Sequence, residues 1–288
     1  MAVLSNTSKP NLKKILLLGD SGSGKTGSLV SLALAGYSIK IIDFDAQAEE
    51  VIRGVLSRAS SPPGLSFDGG PVRIIAPEEH EQALSRFDIE PVYDTTSIVG
   101  SKVQVTAAKA WASAMRKLNE WMRAGLSSKD IVVIDSLTFA SKAAASCYLA
   151  MQNRLSEGVQ WSDYNEIQKM ISTLLEYLYT PSFTANVIVM THIDLIETMV
   201  DTGMKDGKGR PLKEVVDTRA LPMSIGKALG PIIPQYFNIS LVCRSEGKER
   251  ARKRYIYTTP IGLVDTKTPR NLPPKLPLES GLRTVFAE

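Results

Sequence analysis

The sequence predicts an α/β fold in which helices flank a mainly parallel sheet and an antiparallel hairpin follows near the C-terminus. Apolar runs alternate along the chain with segments of helical spacing, as in parallel-sheet proteins. Two of the runs, IVVI and VIVM, are apolar throughout, which is typical of strands buried on both faces. The last two runs, FNISLVCR and KRYIYTTP, flank a charged turn and therefore predict a hairpin.

The first elements follow from local composition. A strand over Lys14–Leu18 is apolar after its first residue and leads into a glycine-rich turn. A helix is expected from about Lys25 to Ala35, because Gly36 suits the position that follows a helix C-terminus. YSIKIIDFD then predicts an isoleucine-rich strand, whereas residues 57–70 contain two prolines and three glycines and predict a loop.

The later elements follow from periodicity. PVRIIA predicts a short strand, and VTAAKAWASAMRKLNEWMRAG has the apolar spacing of a helix. KDIVVID predicts a buried strand, two helical patterns occupy residues 139–180, and NVIVMTHID predicts the next strand. Residues 197–228 are polar, basic and glycine-containing, so they predict a mobile loop.

The bulk composition is that of a globular protein with a proper core, since 43% of the 288 residues are hydrophobic and 22% are charged. The length favours one domain over residues 1–288, with an insertion near residues 55–127 and a proline-rich tail over residues 271–288. No run is long enough for a membrane helix, no secretory signal is visible, and two cysteines make no disulfide framework. We therefore expect a cytoplasmic protein without a membrane partner. The net charge of +4 permits a nucleic-acid partner without requiring one.

The turn after the first predicted strand carries a complete phosphate-binding motif. GDSGSGKT fits G-x-x-x-x-G-K-[ST] and lies between a strand and a helix, as the motif requires. The backbone N–H groups of such a loop form a concave anion site, and the helix N-terminus adds its dipole. We predict a nucleoside triphosphate site in which Lys25 reaches the β- and γ-phosphates and the Thr26 hydroxyl binds Mg²⁺. The predicted contact residues are Gly19, Asp20, Ser21, Gly22, Ser23, Gly24, Lys25, Thr26 and Gly27.

Such a site also needs an acid near the metal ion, carried by another strand. Asp135 follows IVVI at the carboxyl end of its strand, where ligands of open parallel sheets bind. Asp130 begins the same strand and should face the opposite edge of the sheet. We therefore predict Asp135 as the metal-site acid, with Ser136 beside it to orient water.

The strand after the phosphate-loop helix ends in IDFDAQAEE, which contains Asp43 and Asp45. Taken alone, both acids could simply form the turn at the strand end. Together with VVIDS and VMTH, however, the segment resembles the RecA-like ATPases. The resemblance implies that Asp45 activates the attacking water, a position where the family more usually has glutamate, with Gln47 and Glu49 as alternatives.

The resemblance also assigns a role to the polar end of the VMTH strand. In RecA-like proteins this end senses the γ-phosphate, and here it carries Thr191 and His192. His192 would bind phosphate or relay its presence to the following loop, although a lone histidine can equally be a structural hydrogen-bonding group. The predicted catalytic set is Lys25, Asp45, Asp135 and His192.

Two basic segments are candidate nucleic-acid contacts. In RecA-like proteins the loop after the sensing strand contacts single-stranded DNA, and here it reads DTGMKDGKGRPLK, with acids among the cations and no aromatic residue. The second is the predicted hairpin turn KERARKR, which could instead protect an edge hairpin. The candidate contacts are Lys205, Lys208, Arg210, Lys213, Lys248, Arg250, Arg252, Lys253 and Arg254.

The segment VDTKTPRNLPP resembles a basic K-x-R motif that precedes L-P in phage RecA-like proteins, with one residue more between the cations. The resemblance implies that Lys267 and Arg270 contact ATP, as an arginine finger across a subunit boundary.

The order of these segments resembles the phage RecA-like ATPases, a group that includes single-strand annealing recombinases. This implies ATP, Mg²⁺, single-stranded DNA, a homo-oligomeric ring or filament, phage or host replication and recombination proteins as partners, and the host cytoplasm as location. Our leading hypothesis is an ATPase that acts on single-stranded DNA in recombination, annealing or replication. The alternatives are a nucleotide-dependent switch or assembly factor with a protein partner, and a small-molecule phosphotransferase.

Overall fold

A computed structural model describes residues 12–59, 77–205, 211–247, 253–268 and 271–287. Its strands are β1 (Lys14–Leu18), β2 (Ser38–Asp43), β3 (Phe87–Pro91), β4 (Thr95–Val99), β5 (Lys102–Ala107), β6 (Asp130–Asp135), β7 (Asn186–Thr191), β8 (Ile193–Lys205), β9 (Pro211–Pro222), β10 (Ile239–Glu246), β11 (Lys253–Tyr257) and β12 (Lys275–Pro277). Its α-helices are α1 (Lys25–Ser28), α2 (Val30–Leu34), α3 (Ala48–Ala59), α4 (Pro77–Leu84), α5 (Ala110–Ala124), α6 (Leu137–Met151), α7 (Tyr164–Tyr179) and α8 (Leu278–Ala287).

The central sheet has eight strands in the order β12-β11-β10-β1-β7-β6-β2-β3. The strands from β10 to β3 run parallel, and β11 and β12 extend one edge in antiparallel fashion. Strand β7 separates β1, which precedes the phosphate loop, from β6, which ends in Asp135. This is the fold of a P-loop NTPase with a RecA-like core, so the predicted fold class and the C-terminal hairpin are confirmed.

Both faces of the sheet are buried because side chains alternate along each strand. In β1, Leu16 and Leu18 face the layer of α5, α6 and α7, whereas Ile15 and Leu17 face the layer of α1, α2, α3 and α8. All four are almost completely excluded from solvent. Burial of each such side chain contributes roughly 1.5–3 kcal/mol, which explains the continuous apolar runs in the sequence.

A buried lysine lies at the amino end of the parallel strands. Lys14 Nζ donates hydrogen bonds to the carbonyl oxygens of Leu178 (2.8 Å), Phe183 (3.3 Å) and Ala185 (3.0 Å). The ammonium also lies 4.7 Å from the centroid of the Phe183 ring. Burial lowers the pKa of Lys14 to about 8. The side chain thus ties β1 to the segment that connects α7 with β7.

The prediction of a mobile loop over residues 197–228 is wrong for most of this segment. Strands β8 and β9 pair in a long antiparallel hairpin that begins at Ile193, directly after His192, and ends its pairing at Pro222. Leu195 and Met199 are exposed on one face and Val200 on the other. Because neither face supplies a core-directed period, the sequence lacks the alternation that normally identifies a strand.

The predicted insertion and tail contain more regular structure than their composition indicated. Strand β3 pairs with β2 as the edge of the central sheet, β4 and β5 form a separate hairpin, and α5 packs on the core. In the tail, β12 pairs with β11, and α8 buries Leu282 and Val285 against the sheet. The strand predicted at PVRIIA lies outside the described residues. Among the described helices, none has the length and apolar character that crossing a bilayer requires.

Candidate nucleotide-binding site

The phosphate loop joins β1 to α1 and encloses the Lys25 side chain. Lys25 Nζ donates to the carbonyl oxygens of Gly19 (2.7 Å) and Asp20 (3.0 Å). Burial lowers the pKa of Lys25, and the nearby acids oppose this effect. Gly22 and Gly24 have positive φ values of 73° and 97°, so the turn uses a backbone conformation that glycine adopts without strain.

Two of the loop glycines are also required by close packing. A β-carbon on Gly19 would lie 2.5 Å from the carbonyl oxygen of Cys243 on β10. A β-carbon on Gly24 would lie 2.4 Å from Leu278 Cδ2 and 3.0 Å from Arg254 Cδ. The loop is therefore held on its outer side by the C-terminal strands and by the first residue of α8.

The carboxyl end of β6 places its acid directly below the loop. The Thr26 hydroxyl donates a 2.7 Å hydrogen bond to Asp135 Oδ2. Asp135 is almost fully buried, and this burial raises its pKa to about 7. The two residues predicted at the metal site from separate segments of the sequence are thus in direct contact.

The two acids that follow β2 have different surroundings. Asp43 is buried and accepts hydrogen bonds from the backbone N–H groups of Asp45 (3.0 Å) and Ala48 (2.8 Å), so it shapes the turn before α3. Asp45 lines the cavity beside the phosphate loop, and Ser136 Oγ lies 3.4 Å from its Oδ1. Burial, followed by the charge of Asp43, raises the pKa of Asp45. Asp45 therefore has the placement expected of a group that contacts substrate or water, whereas Asp43 has a structural one.

The cavity above the loop has a volume of about 690 Å³, which suits a small-molecule ligand. One wall is formed by the loop, α1 and the end of β6, and a second by α3. The cavity is also lined by residues outside the predicted site, namely Ala48, Glu50, Val51, Gly54, Val55 and Leu278. Of the two alternatives to Asp45, Gln47 lines the cavity, but Glu49 forms an exposed ion pair with Arg53.

The predicted sensing strand ends at the same cavity. Thr191 is buried, and its hydroxyl donates to the carbonyl oxygen of Met223 (2.9 Å). The backbone N–H of His192 donates to Thr138 Oγ1 (3.2 Å), and the backbone carbonyl oxygen of His192 accepts a hydrogen bond from the backbone N–H of Met223 (2.8 Å). Burial, followed by the charge of Lys25, lowers the pKa of His192. His192 thus connects the cavity wall to the base of the β8–β9 hairpin.

The site suits a nucleoside triphosphate with Mg²⁺. Ser23 Oγ is buried without a hydrogen-bond partner among the described residues, but it lies next to Gly19 and does not line the cavity. The described residues contain no cluster of three or more metal-ligating side chains. Mg²⁺ commonly binds through one or two protein oxygen groups together with substrate phosphates and water, and the Thr26 hydroxyl and the Asp135 carboxyl are oxygen groups of this kind.

The predicted arginine-finger segment lies away from this cavity. Lys267 pairs through its backbone with Ser240, and its Nζ donates to the carbonyl oxygen of Phe237 (2.9 Å) at the amino end of β10. The Lys25 cavity lies at the opposite, carboxyl end of the strands. Lys267 therefore does not reach the nucleotide site of its own chain in this conformation. Arg270 lies outside the described residues, and contact across a subunit boundary stays a prediction.

The structure separates the residues predicted to contact nucleic acid. Lys213 on β9 and Lys253 on β11 are exposed, whereas Arg254 lines the nucleotide cavity. Lys205 ends β8, but its side chain is outside the description. The other predicted contacts lie outside the described residues: Lys208, Arg210, Lys248, Arg250 and Arg252.

Comparison with known proteins gives remote structural likenesses. No known family profile matches the sequence, and no curated protein matches it. The chain is similar to a KaiC-like protein from the hyperthermophilic archaeon Pyrococcus horikoshii OT3, with 15% identity over 85% of this chain and 78% of that one and a TM-score of 0.43. It is also similar to an ATPase of the type III secretion system of pathogenic bacteria (13% identity, 81% of this chain, 52% of that one, TM-score 0.40).

A third similar structure is the flagellar accessory protein FlaH from Methanocaldococcus jannaschii (9% identity, 85% of this chain, 76% of that one, TM-score 0.37). The chain spans about half of the secretion ATPase. At such identities and scores, the assignment of the site depends on the strand order and side-chain geometry of this chain itself.

Proposed function

We propose that this protein binds ATP together with Mg²⁺ and hydrolyses the ATP. The observation that carries the proposal is the contact between Thr26 and Asp135 at the floor of a cavity that Lys25 and Asp45 also line. A P-loop alone indicates a nucleotide. The added pair of an acid beside Thr26 and a second acid facing the cavity is what hydrolysis requires.

Each residue has a distinct task in this proposal. The Lys25 amine exchanges its two loop carbonyl partners for phosphate oxygens, and the loop N–H groups hold the remaining phosphate charge. Thr26 and Asp135 hold the metal ion, which offsets charge on the β- and γ-phosphates when bound. Asp45 accepts a proton from the water that attacks the γ-phosphorus, while the bond to the β–γ bridging oxygen breaks.

We further propose single-stranded DNA as the partner, in phage recombination, annealing or replication. The basic segment DTGMKDGKGRPLK contains no aromatic residue, but Trp161 is 92% exposed and lies 6.1 Å from Tyr164, measured between ring centroids. Tyr164 Cδ1 in turn lies 3.1 Å from the position that a β-carbon on Gly226 would take, just after β9. An exposed tryptophan and a half-buried tyrosine therefore adjoin the base of the hairpin that follows the sensing strand.

A protein partner is the second candidate, and the hairpin itself favours it. Leu195, Met199 and Val215 are exposed on one face, with Leu195 62% exposed. Acids such as Glu214 accompany the cations, so the described part of the hairpin is not a basic surface. Exposed apolar side chains on an extended arm are typical of protein interfaces.

A homo-oligomeric ring or filament also remains a proposal. In such an assembly ATP would lie between subunits, and Lys267 and Arg270 would act on the neighbouring site. Lys267 lies at the end of the sheet opposite its own cavity, and this placement is compatible with a role in trans.

The test is steady-state ATP turnover by the full chain, with and without a single-stranded oligonucleotide, beside Lys25→Ala. Turnover that DNA stimulates and the variant lacks supports the whole proposal. Turnover that is indifferent to DNA, with no retention of labelled oligonucleotide at low salt, contradicts the DNA part and favours the protein partner. Turnover no higher than that of Lys25→Ala contradicts the ATPase. Salt adds a discriminator, because binding through phosphate contacts weakens steeply as salt rises.

A further inference from the structure

Arg254 lies at the start of β11 and extends along the phosphate loop. Its Nε donates a 3.1 Å hydrogen bond to the carbonyl oxygen of Gly22. Its Cδ approaches to 3.0 Å the position that a β-carbon on Gly24 would take. The side chain also lines the 690 Å³ cavity. A residue predicted as part of a nucleic-acid contact is thus held at the loop that binds phosphate.

The charge balance of the cavity gives this arginine a reason to be there. Among the described lining residues, Asp45, Glu50 and Asp135 carry carboxyl groups, whereas Lys25 and Arg254 are the cations. A triphosphate brings further negative charge, which a single buried amine with a lowered pKa offsets poorly. A guanidinium stays charged at all relevant pH values and offers several N–H groups in a planar fork that fits phosphate.

Pairing in the hairpin separates Arg254 from its neighbour. Arg254 pairs with Ser245 and Lys253 pairs with Glu246, so that the two side chains point to opposite faces of β11. Lys253 is exposed, whereas Arg254 is half-buried. The basic turn is therefore divided at this point, and Arg254 belongs to the nucleotide cavity.

We propose that Arg254 binds the phosphate chain of the nucleotide within its own subunit. The inference rests on the proposed function, because it requires a nucleotide in the Lys25 cavity. Nε anchors the side chain on the Gly22 carbonyl, and the guanidinium head contacts phosphate from the side opposite α3. This role differs from an arginine finger, which a neighbouring subunit supplies.

The experiment compares wild type, Arg254→Gln and Arg254→Lys with Lys253→Gln as the matched control. Dissociation constants are measured for ATP, for inorganic pyrophosphate and for a labelled single-stranded oligonucleotide, and thermal melting monitors folding. We expect Arg254→Gln to weaken ATP and pyrophosphate alike by about tenfold, the effect of one charge-assisted hydrogen bond. Arg254→Lys should recover part of this loss, because it keeps the charge. Lys253→Gln should leave both phosphate ligands unaffected.

Three results would overturn the proposal. The first is that the Arg254→Gln protein melts like wild type and binds ATP with unchanged affinity. Another is a loss for ATP without a loss for pyrophosphate, which would place the contact at the base or ribose. The third is a loss confined to the oligonucleotide and shared with Lys253→Gln, which would return Arg254 to nucleic-acid binding. If wild type binds neither ATP nor pyrophosphate, the proposed function itself fails, and that result is distinct from the other three.

Discussion

The amino and carboxyl ends of the parallel strands each bury a lysine amine against backbone carbonyl oxygens, but the two lysines have different roles. At the amino end of the strands, Lys14 binds three carbonyl groups and is surrounded by packed residues. At the carboxyl end of the strands, Lys25 binds two carbonyl groups but also lines a cavity of about 690 Å³, with Asp45 and Asp135 nearby. Burial lowers the pKa of both amines.

A buried amine is therefore not by itself a sign of function. Lys14 is held by three backbone carbonyl groups and the Phe183 ring, so it holds one arrangement of the chain. Lys25 has carbonyl partners that a ligand can replace, in a loop whose N–H groups form an anion site. We therefore expect variants around Lys25 to change ATP turnover and variants of Lys14 to change the stability of the fold.

The largest effect is expected at Lys25. Lys25→Ala should reduce kcat/KM for ATP by about a thousandfold, because the amine contacts the phosphates in both binding and the transition state. The melting temperature should fall less than in a variant of Lys14, since Lys25 leaves two carbonyl groups without their donor rather than three, and one of these hydrogen bonds is only partly buried. Turnover assays together with calorimetry measure both quantities. A stability loss as large as that of a core variant would place Lys25 in the same class as Lys14.

Asp45→Asn should come next, with kcat lowered by about a hundredfold and ATP affinity nearly unchanged, as expected for loss of a general base. Glu49→Gln is the matched control, because it lies in the same turn region but pairs with Arg53 at the surface. Pre-steady-state binding and single-turnover hydrolysis separate the two steps. Equal turnover in the two variants would exclude Asp45 as the base.

Lys14→Met should lower the free energy of unfolding by about 2 kcal/mol near neutral pH, because three buried carbonyl groups lose their donor. Nucleotide affinity should stay that of wild type. With a folded pKa of about 8 against 10.5 for the free side chain, the unfolded chain binds the extra proton between these values. The wild-type advantage should therefore grow as pH rises from 8 towards 10.5. Denaturant titrations of both proteins across this range measure it, and a constant difference would contradict the assignment.

The smallest effect is expected on stability, for alanine variants of two glycines with nearly equal φ values. Gly24 and Gly36 have φ of 97° and 94°, but only Gly24 has neighbours within 4 Å of a β-carbon. Gly36→Ala should cost about 1 kcal/mol from backbone strain, and Gly24→Ala about 1 kcal/mol more together with weaker ATP binding. The pair isolates packing at the loop from conformation. A double-mutant cycle of Gly24→Ala with Leu278→Ala should give a favourable coupling, because the smaller side chain removes the clash with the added β-carbon.

The parts of the fold and site that could be predicted are those whose signal is local. Strands β1, β6 and β7 are apolar runs that need burial on both faces, and the phosphate loop is a fixed spacing of glycines before Lys25. Asp135 was found because the end of a buried parallel strand is where ligands bind. Its contact with Thr26 follows from strand order rather than from any pair of neighbouring residues.

The parts that could not be predicted depend on distant segments or on exposed surfaces. Only the base of the β8–β9 hairpin packs on the core, at Ile193 and Ala220, so the charges and glycines of the remainder indicated a loop. Helix α8 follows several prolines, and only the late segment SGLRTVFA carries an apolar period. The position of Arg254 at the loop requires β11 to pair with β10 and β10 with β1, and no spacing in the sequence expresses that.

The hairpin that begins beside His192 has a mechanical consequence. Thirteen residues of β8 at roughly 3.3 Å each make an arm of about 40 Å, anchored at one end next to the nucleotide cavity. Turning such an arm by about 5° at its base displaces the far end by about 3 Å, comparable to the rise of one strand residue. An arm of this length would amplify any rotation at its base, which lies beside the nucleotide cavity, into a several-fold larger displacement at its far end.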